Sequence, residues 1–181
     1  AARRLGRLTD AKETLGWAAR SPQFEAVALV QAAEIAILEK DHVRAAEYAY
    51  KALVSDDLNV NALEVLAVAC RLSGKKTEFD RVLGWLNELD PLDHLVRFER
   101  YLQSREPGDL EACRALVRNE LPHETWLEMA MFYLRLGLLD DALAAVSAAP
   151  SQATVHYWHA YLLRDKSPGE SAAMLEKASA A

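Results

Sequence analysis

The sequence predicts an all-α chain of antiparallel helix pairs stacked into a solenoid. Three observations carry this. Apolar residues make up 51% of the 181 residues while Gly (7) and Pro (6) are sparse, a balance that favours helix. Apolar positions recur at a period near 3.6, and no window shows the alternation of β-branched residues that a sheet needs. A helix-turn-helix pattern then recurs at a 34-residue step, with turns placed about Gly6 and Gly74 two steps apart. A single hairpin of this kind cannot bury its apolar face alone, so the units must stack.

Residues 1–25 read as half a repeat. Gly6 marks its turn, and Ala11, Leu15 and Ala18 lie on its second helix. The first helix of that pair is expected before Ala1, so the chain reads as a piece of a longer polypeptide, in which a targeting segment could precede it. Residues 26–59 form the next repeat. Leu29, Ala32, Ala33 and Ala36 lie on its first helix, with Ala45, Ala49 and Ala52 on its second, small residues that suit a tight hairpin. Asp56-Asp57 stands at its end, where Pro is common. Residues 60–93 follow, with Leu63, Leu66, Ala67 and Cys70, a turn at Gly74, then Phe79, Leu83 and Leu86, and a close at Asp90-Pro91. Phe79 stands where a small residue is usual, so a wider crossing is expected there.

Residues 94–122 are shorter and irregular. Leu95, Phe98 and Leu102 space as a helix, Glu106-Pro107-Gly108 breaks it, and Asp109 is expected to cap the next helix. That helix carries Leu110, Cys113, Leu116 and Val117 and ends at Leu121-Pro122. Residues 123–150 form the most regular unit. Trp126, Met129, Ala130 and Tyr133 lie on one helix, Gly137 at the turn, then Ala142, Val146 and Ala149-Pro150. Trp126 and Tyr133 fill space between helices, whereas Ala130 and Ala142 let two helices approach closely. Gly137 suits a left-handed cap. Residues 151–181 close the chain, with Tyr157, Ala160 and Leu163, a turn at Ser167-Pro168-Gly169, and Ala172, Leu175 and Ala178. About eleven helices are expected.

The Trp126–Pro150 pattern of large, apolar-small, aromatic, Gly, then small-x3-large resembles the tetratricopeptide repeat. With the residue 60–93 unit it carries a resemblance that extends over essentially the whole chain. The resemblance implies one continuous array over 1–181, a segment of a right-handed superhelix, whose first helices line a concave face that binds protein segments. A narrower likeness rests on Leu89–His94, Phe98–Leu102, Val117–Thr125 and Tyr157–Leu162. These segments are similar to the C-terminal repeat arrays of large bacterial proteins whose N-terminal domain resembles sugar mutarotases. That likeness implies an accessory domain of a carbohydrate-processing protein.

Composition narrows the function further. A net charge of −6 and an isoelectric point near 5.4 argue against nucleic acid, which calls for a basic stripe. Arg3, Arg4 and Arg7 cluster, as do Arg97, Arg100 and Arg105, and both groups read as solvated helix faces. No apolar run is long enough to span a bilayer, so no membrane partner is expected. Cys70 and Cys113 have apolar helical neighbours and read as buried thiols, consistent with a reducing, cytoplasmic compartment.

No phosphate loop, nucleophile elbow or zinc signature occurs, so neither an enzyme nor a cofactor is expected. His156 and His159 share a helix face at three-residue spacing, as metal ligands can, but a third ligand is absent and a polar face is the plainer reading. Asn119-Glu120-Leu121-Pro122-His123 is either a structural turn that satisfies free backbone groups or a binding edge.

The resulting expectation is a non-catalytic interaction or scaffolding module. Its partner is a protein or peptide segment, including another domain of the same polypeptide. An oligomerisation module is the alternative; the oligomeric state is left open. Groove-facing first-helix residues should include Phe98, Glu99, Leu102, Leu127, Glu128, Met131, Arg135, Tyr157, Trp158, Tyr161 and Arg164. Aromatics and Met ringed by charge are typical of binding hot spots, although an apolar stripe at helical spacing also serves as core. Some tetratricopeptide domains resemble one another in clasping a C-terminal carboxylate. The matching positions here, Val30, Glu34, Glu64, Val65 and Val68, offer no cation for it.

Overall fold

The computed structural model describes residues 5–118 and 120–180. Arg3, Arg4 and Asn119, singled out above, lie outside the described residues. Within them are eleven α-helices and no strand. In chain order these are α1 (Leu8–Ala18), α2 (Glu25–Leu38), α3 (His42–Ser55), α4 (Val60–Leu72), α5 (Lys76–Leu89) and α6 (His94–Ser104). Then come α7 (Pro107–Leu116), α8 (Pro122–Arg135), α9 (Leu139–Ala148), α10 (Ala153–Leu163) and α11 (Pro168–Ala180). The chain divides into two compact units, Ala1–Glu99 and Arg100–Ala181, with the boundary inside α6, where a single array had been expected.

The repeat register is written in the backbone. Gly6, Lys40, Gly74, Arg105 and Gly137 all have positive φ, at successive intervals of 34, 34, 31 and 32 residues. Lys40, Gly74 and Gly137 each end a helix in the same cap. The amide after the left-handed residue reaches back to a carbonyl five residues earlier: Asp41 to Ala36, Lys75 to Cys70 and Leu138 to Tyr133, at 2.9–3.0 Å. This paired-bond cap satisfies carbonyls that a helix end otherwise leaves open. Arg105 closes α6 with the simpler bond, its amide to the Tyr101 carbonyl at 2.7 Å. Glycine takes a left-handed conformation without the Cβ clash that Lys40 and Arg105 accept.

Helix starts follow local chemistry. Asp41 accepts from the Arg44 amide at 3.1 Å and Asn59 from the Ala62 amide at 2.9 Å, capping α3 and α4. Asp93 accepts from the Leu95 amide at 2.8 Å at the start of α6. Three starts use proline instead: Pro107, Pro122 and Pro168. Proline has no N–H to leave unsatisfied, and its φ is already helical. This corrects two expectations. Asp109 is not the cap of α7 but lies in its first turn and accepts from the Ser104 hydroxyl. Pro168 and Gly169 belong to α11 rather than to the turn before it.

In the first unit α1 packs on α2, α2 on α3, α3 on α4 and α4 on α5, and α2 also touches α4. In the second, α8 packs on α9, α9 on α10 and α10 on α11, and α8 also touches α10. First helices thus meet their own partner and the next first helix, the pairing of tetratricopeptide-like hairpins. Small residues sit at the crossings: Ala33, Ala45, Ala49, Ala52 and Ala142 are fully buried, and Ala130 nearly so. Phe79 is also buried. In α11 it is Ser171, not the neighbouring Ala172, that is buried, its hydroxyl donating to the Ala160 carbonyl at 2.8 Å.

Candidate functional site

Helix α8 has two faces. Trp126, Met129, Ala130 and Tyr133 are buried. Met131 is 43% exposed, and Glu128 and Arg135 are exposed beside it. Helix α10 repeats the arrangement. Val155, Ala160, Leu162 and Leu163 are buried, whereas Tyr157 is 53% and Tyr161 39% exposed. Trp158 is half-buried and fixes both tyrosine rings edge to face, with centroids 6.1 Å from Tyr157 and 5.4 Å from Tyr161. Such contacts favour the ring quadrupoles and limit the rotamers the exposed rings can adopt. The Arg164 guanidinium lies 4.3 Å from the Tyr161 ring centroid and donates to Asp165 at 3.0 Å. The Arg135 guanidinium lies 5.4 Å from the Phe132 ring.

Between these helices is a shallow apolar depression lined by Leu127, Ala130, Met131 and Leu134 of α8, Val146 of α9, and Trp158 and Leu162 of α10. It encloses no space for even a water molecule, against the several hundred cubic ångströms of a small-molecule pocket. No titratable side chain lines it.

Eight of the eleven expected groove residues therefore lie on or beside one surface of the second unit. Phe98, Glu99 and Leu102 do not: all three are buried. For Glu99 the cause is Arg71, which approaches from α4 with Nε 2.7 Å from Oε2 and Nη2 3.2 Å from Oε1. The two side chains are 8% and 0% exposed. Charges removed from water to this extent require a two-point, charge-assisted match of this kind. Helical spacing groups Glu99 with the charge around the groove aromatics, whereas the fold buries it. Arg71, 28 residues earlier, was the signal that could have corrected it.

Counting back from each left-handed cap aligns the first helices. Met131 stands six residues before Gly137, as Glu34, Val68 and Glu99 stand before Lys40, Gly74 and Arg105. Those three are buried. Leu127 stands ten before its cap, as Val30, Glu64 and Leu95 do; Val30 and Leu95 are buried and Glu64 is half-buried. Matching Ala160 to Ala130 places Tyr157 and Tyr161 at these same two positions of α10. Leu127 is half-buried as Glu64 is, so the open positions among these are Met131 of α8 and Tyr157 and Tyr161 of α10.

Several other polar groups are bonded within the fold or buried in it. Tyr50 of α3 donates to Glu78 and accepts from Arg81 of α5 at 2.9 Å. Burial and the bond to Glu78 push its phenol up to about 12. Burial likewise pushes the Cys70 thiol up to about 11, the opposite of a reactive cysteine. Burial raises the Asp93 carboxyl above its usual range. His156 shares a 2.9 Å hydrogen bond between its Nε2 and the Ser151 hydroxyl. Among the described residues no three His, Cys, Asp or Glu side chains are grouped to hold a metal ion. No described helix is long and apolar enough to cross a membrane.

No protein-family model matches the chain, so neither resemblance noted above is carried by one, and no curated protein matches it. Among solved structures the chain is similar to a chain of one titled a crystal structure of an APC/C hetero-tetramer, Cut9–Hcn1. The identity is 18% and the TM-score 0.33; the match covers 96% of this chain and 45% of that one. The fold assignment rests on the helix pairing and the spaced caps, not on that likeness.

Proposed function

We propose that this chain is a non-catalytic protein-interaction module that takes a partner segment on the α8–α10 face. The observation that carries the reading is the exposure of Met131, Tyr157 and Tyr161 at register positions that α2, α4 and α6 bury or half-bury. Large apolar side chains kept in water at matched positions, ringed by Glu128, Arg135 and Arg164, have the composition of binding hot spots. The depression is too shallow for a small-molecule substrate and offers no group for acid, base or nucleophilic chemistry. An apolar anchor from a peptide or from another domain would rest on the exposed side chains of Met131, Tyr157 and Tyr161.

The test is selection of a displayed peptide library on the wild-type chain, followed by affinity measurement on Tyr157→Ala/Tyr161→Ala. Selected peptides should carry an apolar anchor and lose about 2 kcal/mol or more of binding free energy, roughly 30-fold. Peptides that bind the double variant as tightly would place the interaction elsewhere.

A further inference from the structure

Phe24, Leu58 and Leu92 stand at steps of 34 residues, the period of the caps at Gly6, Lys40 and Gly74. Each lies in the turn that leads from a second helix into the next first helix: α1 to α2, α3 to α4 and α5 to α6. Such turns ordinarily carry Gly, Pro, Asn, Asp or Ser. Here three large apolar side chains are 54%, 63% and 69% exposed. Leu58 and Leu92 stand just before Asn59 and Asp93, which accept amides in the first turns of α4 and α6. An apolar residue in that place commonly staples onto the helix it precedes; at this exposure neither leucine does. Helices α1 and α3 also end on exposed Trp17 and Val54. Single exposed apolar residues need no explanation, but three at one register of one unit form a row.

The row runs along a carboxylate-rich edge. Asp56, Asp57, Glu88 and Asp90 are exposed in the same turns or at the ends of the helices leading into them. Where these acids are bonded, the donors are neutral: Asp56 accepts from the Asn59 side-chain amide and Asp90 from the Leu92 backbone amide, both at 3.0 Å. The nearby cations, Arg20 and Lys51, lie over the Trp17 and Tyr48 rings. On the capped side, by contrast, Glu39 pairs with Lys12, Asp41 with Arg44 and Glu78 with Arg81. Negative charge that is balanced near the caps is left facing solvent along the apolar row. We propose that this row is a second docking surface, for a basic segment in polyproline-type conformation with an apolar side chain at every third residue. Helix α2 touches α4, and the Arg71–Glu99 pair joins α4 to α6, so the three turns lead into helices packed side by side. Helices in contact lie about 8–10 Å apart, and three residues of polyproline II complete one turn in about 9 Å. Such a segment sets one apolar side chain on each turn and aims the cations between them at Asp56, Asp57, Glu88 and Asp90. It needs no enclosed pocket and has little conformational entropy to lose.

The experiment is an NMR titration of the chain with a peptide of four Leu-Lys-Pro repeats, whose prolines favour that conformation. Two control peptides carry Glu in place of Lys, or Ser in place of Leu. The first peptide should shift the amide signals of Leu58 and Leu92 saturably, and its binding should weaken as salt is raised. Both controls should bind about tenfold more weakly or not at all. Leu58→Ser/Leu92→Ser should bind the first peptide about tenfold more weakly or less. Tyr157→Ala/Tyr161→Ala should bind it as the wild type does, so this surface and the α8–α10 face fail separately. Absence of shifts at Leu58 and Leu92, equal binding of the Lys and Glu peptides, or unchanged binding to Leu58→Ser/Leu92→Ser would each overturn the proposal. The peptide comparison on the wild type decides even if that variant does not fold. Light scattering gives a second readout: wild-type self-association that Leu58→Ser/Leu92→Ser abolishes would assign the row to a second copy of the chain and overturn the peptide reading.

Discussion

Met131 and Glu99 each stand six residues before a left-handed helix cap, yet Met131 is 43% exposed and Glu99 is completely buried. By polarity the two should be reversed. The contrast extends through both units: Val30, Glu34 and Val68 are buried in the first, while Tyr157 and Tyr161 are exposed in the second. A repeat register fixes where a residue lies on its helix but not whether that face is covered. In the first unit the face holds apolar side chains and a paired charge. In the second it stays open, and its aromatic side chains are fixed by one another rather than by a covering layer.

The contrast can be broken most severely at the buried pair. Arg71→Ala or Glu99→Ala leaves one charge buried without its partner and should cost about 3–5 kcal/mol in chemical denaturation. Replacing both, as Arg71→Met/Glu99→Leu, should cost far less, because an apolar pair of similar volume needs no matched charge. If the double replacement is as damaging as either single one, the pair is not the reason for the cost.

Ala130→Leu tests the packing of a buried small residue of the second unit. The extra side chain has no room between helices and should destabilise by about 1–3 kcal/mol; an unchanged melting temperature would show that the helices do not cross closely at Ala130.

The smallest effect sharpens the register itself. Lys40 holds a left-handed conformation that glycine adopts at Gly74 and Gly137. Lys40→Gly should stabilise the first unit by roughly 0.5–1 kcal/mol, the strain relieved less the added freedom of the unfolded chain. A loss of stability would mean that the Lys40 cap is not strained.

Most of the fold was legible because helix periodicity, small residues at crossings and glycine caps are local signals. Gly74 and Gly137 announced their turns; Lys40 and Arg105 occupy equivalent turns without any glycine to mark them. Pro107 and Pro168 were read as breakers, whereas each starts a helix. The candidate face was legible only in part. Its positions on α8 and α10 followed from spacing, but the burial of Phe98, Glu99 and Leu102 depends on tertiary contacts that a helical period does not encode. The Arg71–Glu99 and Tyr50–Glu78–Arg81 contacts link residues about one repeat apart, and a reading of one helix at a time does not pair them.

The open and closed faces are compared most directly by two register-matched double variants in urea denaturation. Val30→Ala/Val68→Ala empties buried positions of the first unit and should cost about 3 kcal/mol or more. Tyr157→Ala/Tyr161→Ala removes larger side chains from the second and should change stability by no more than about 1 kcal/mol, as exposed substitutions do. Equal losses, or a greater loss from the tyrosine pair, would contradict the account by showing that Tyr157 and Tyr161 are core.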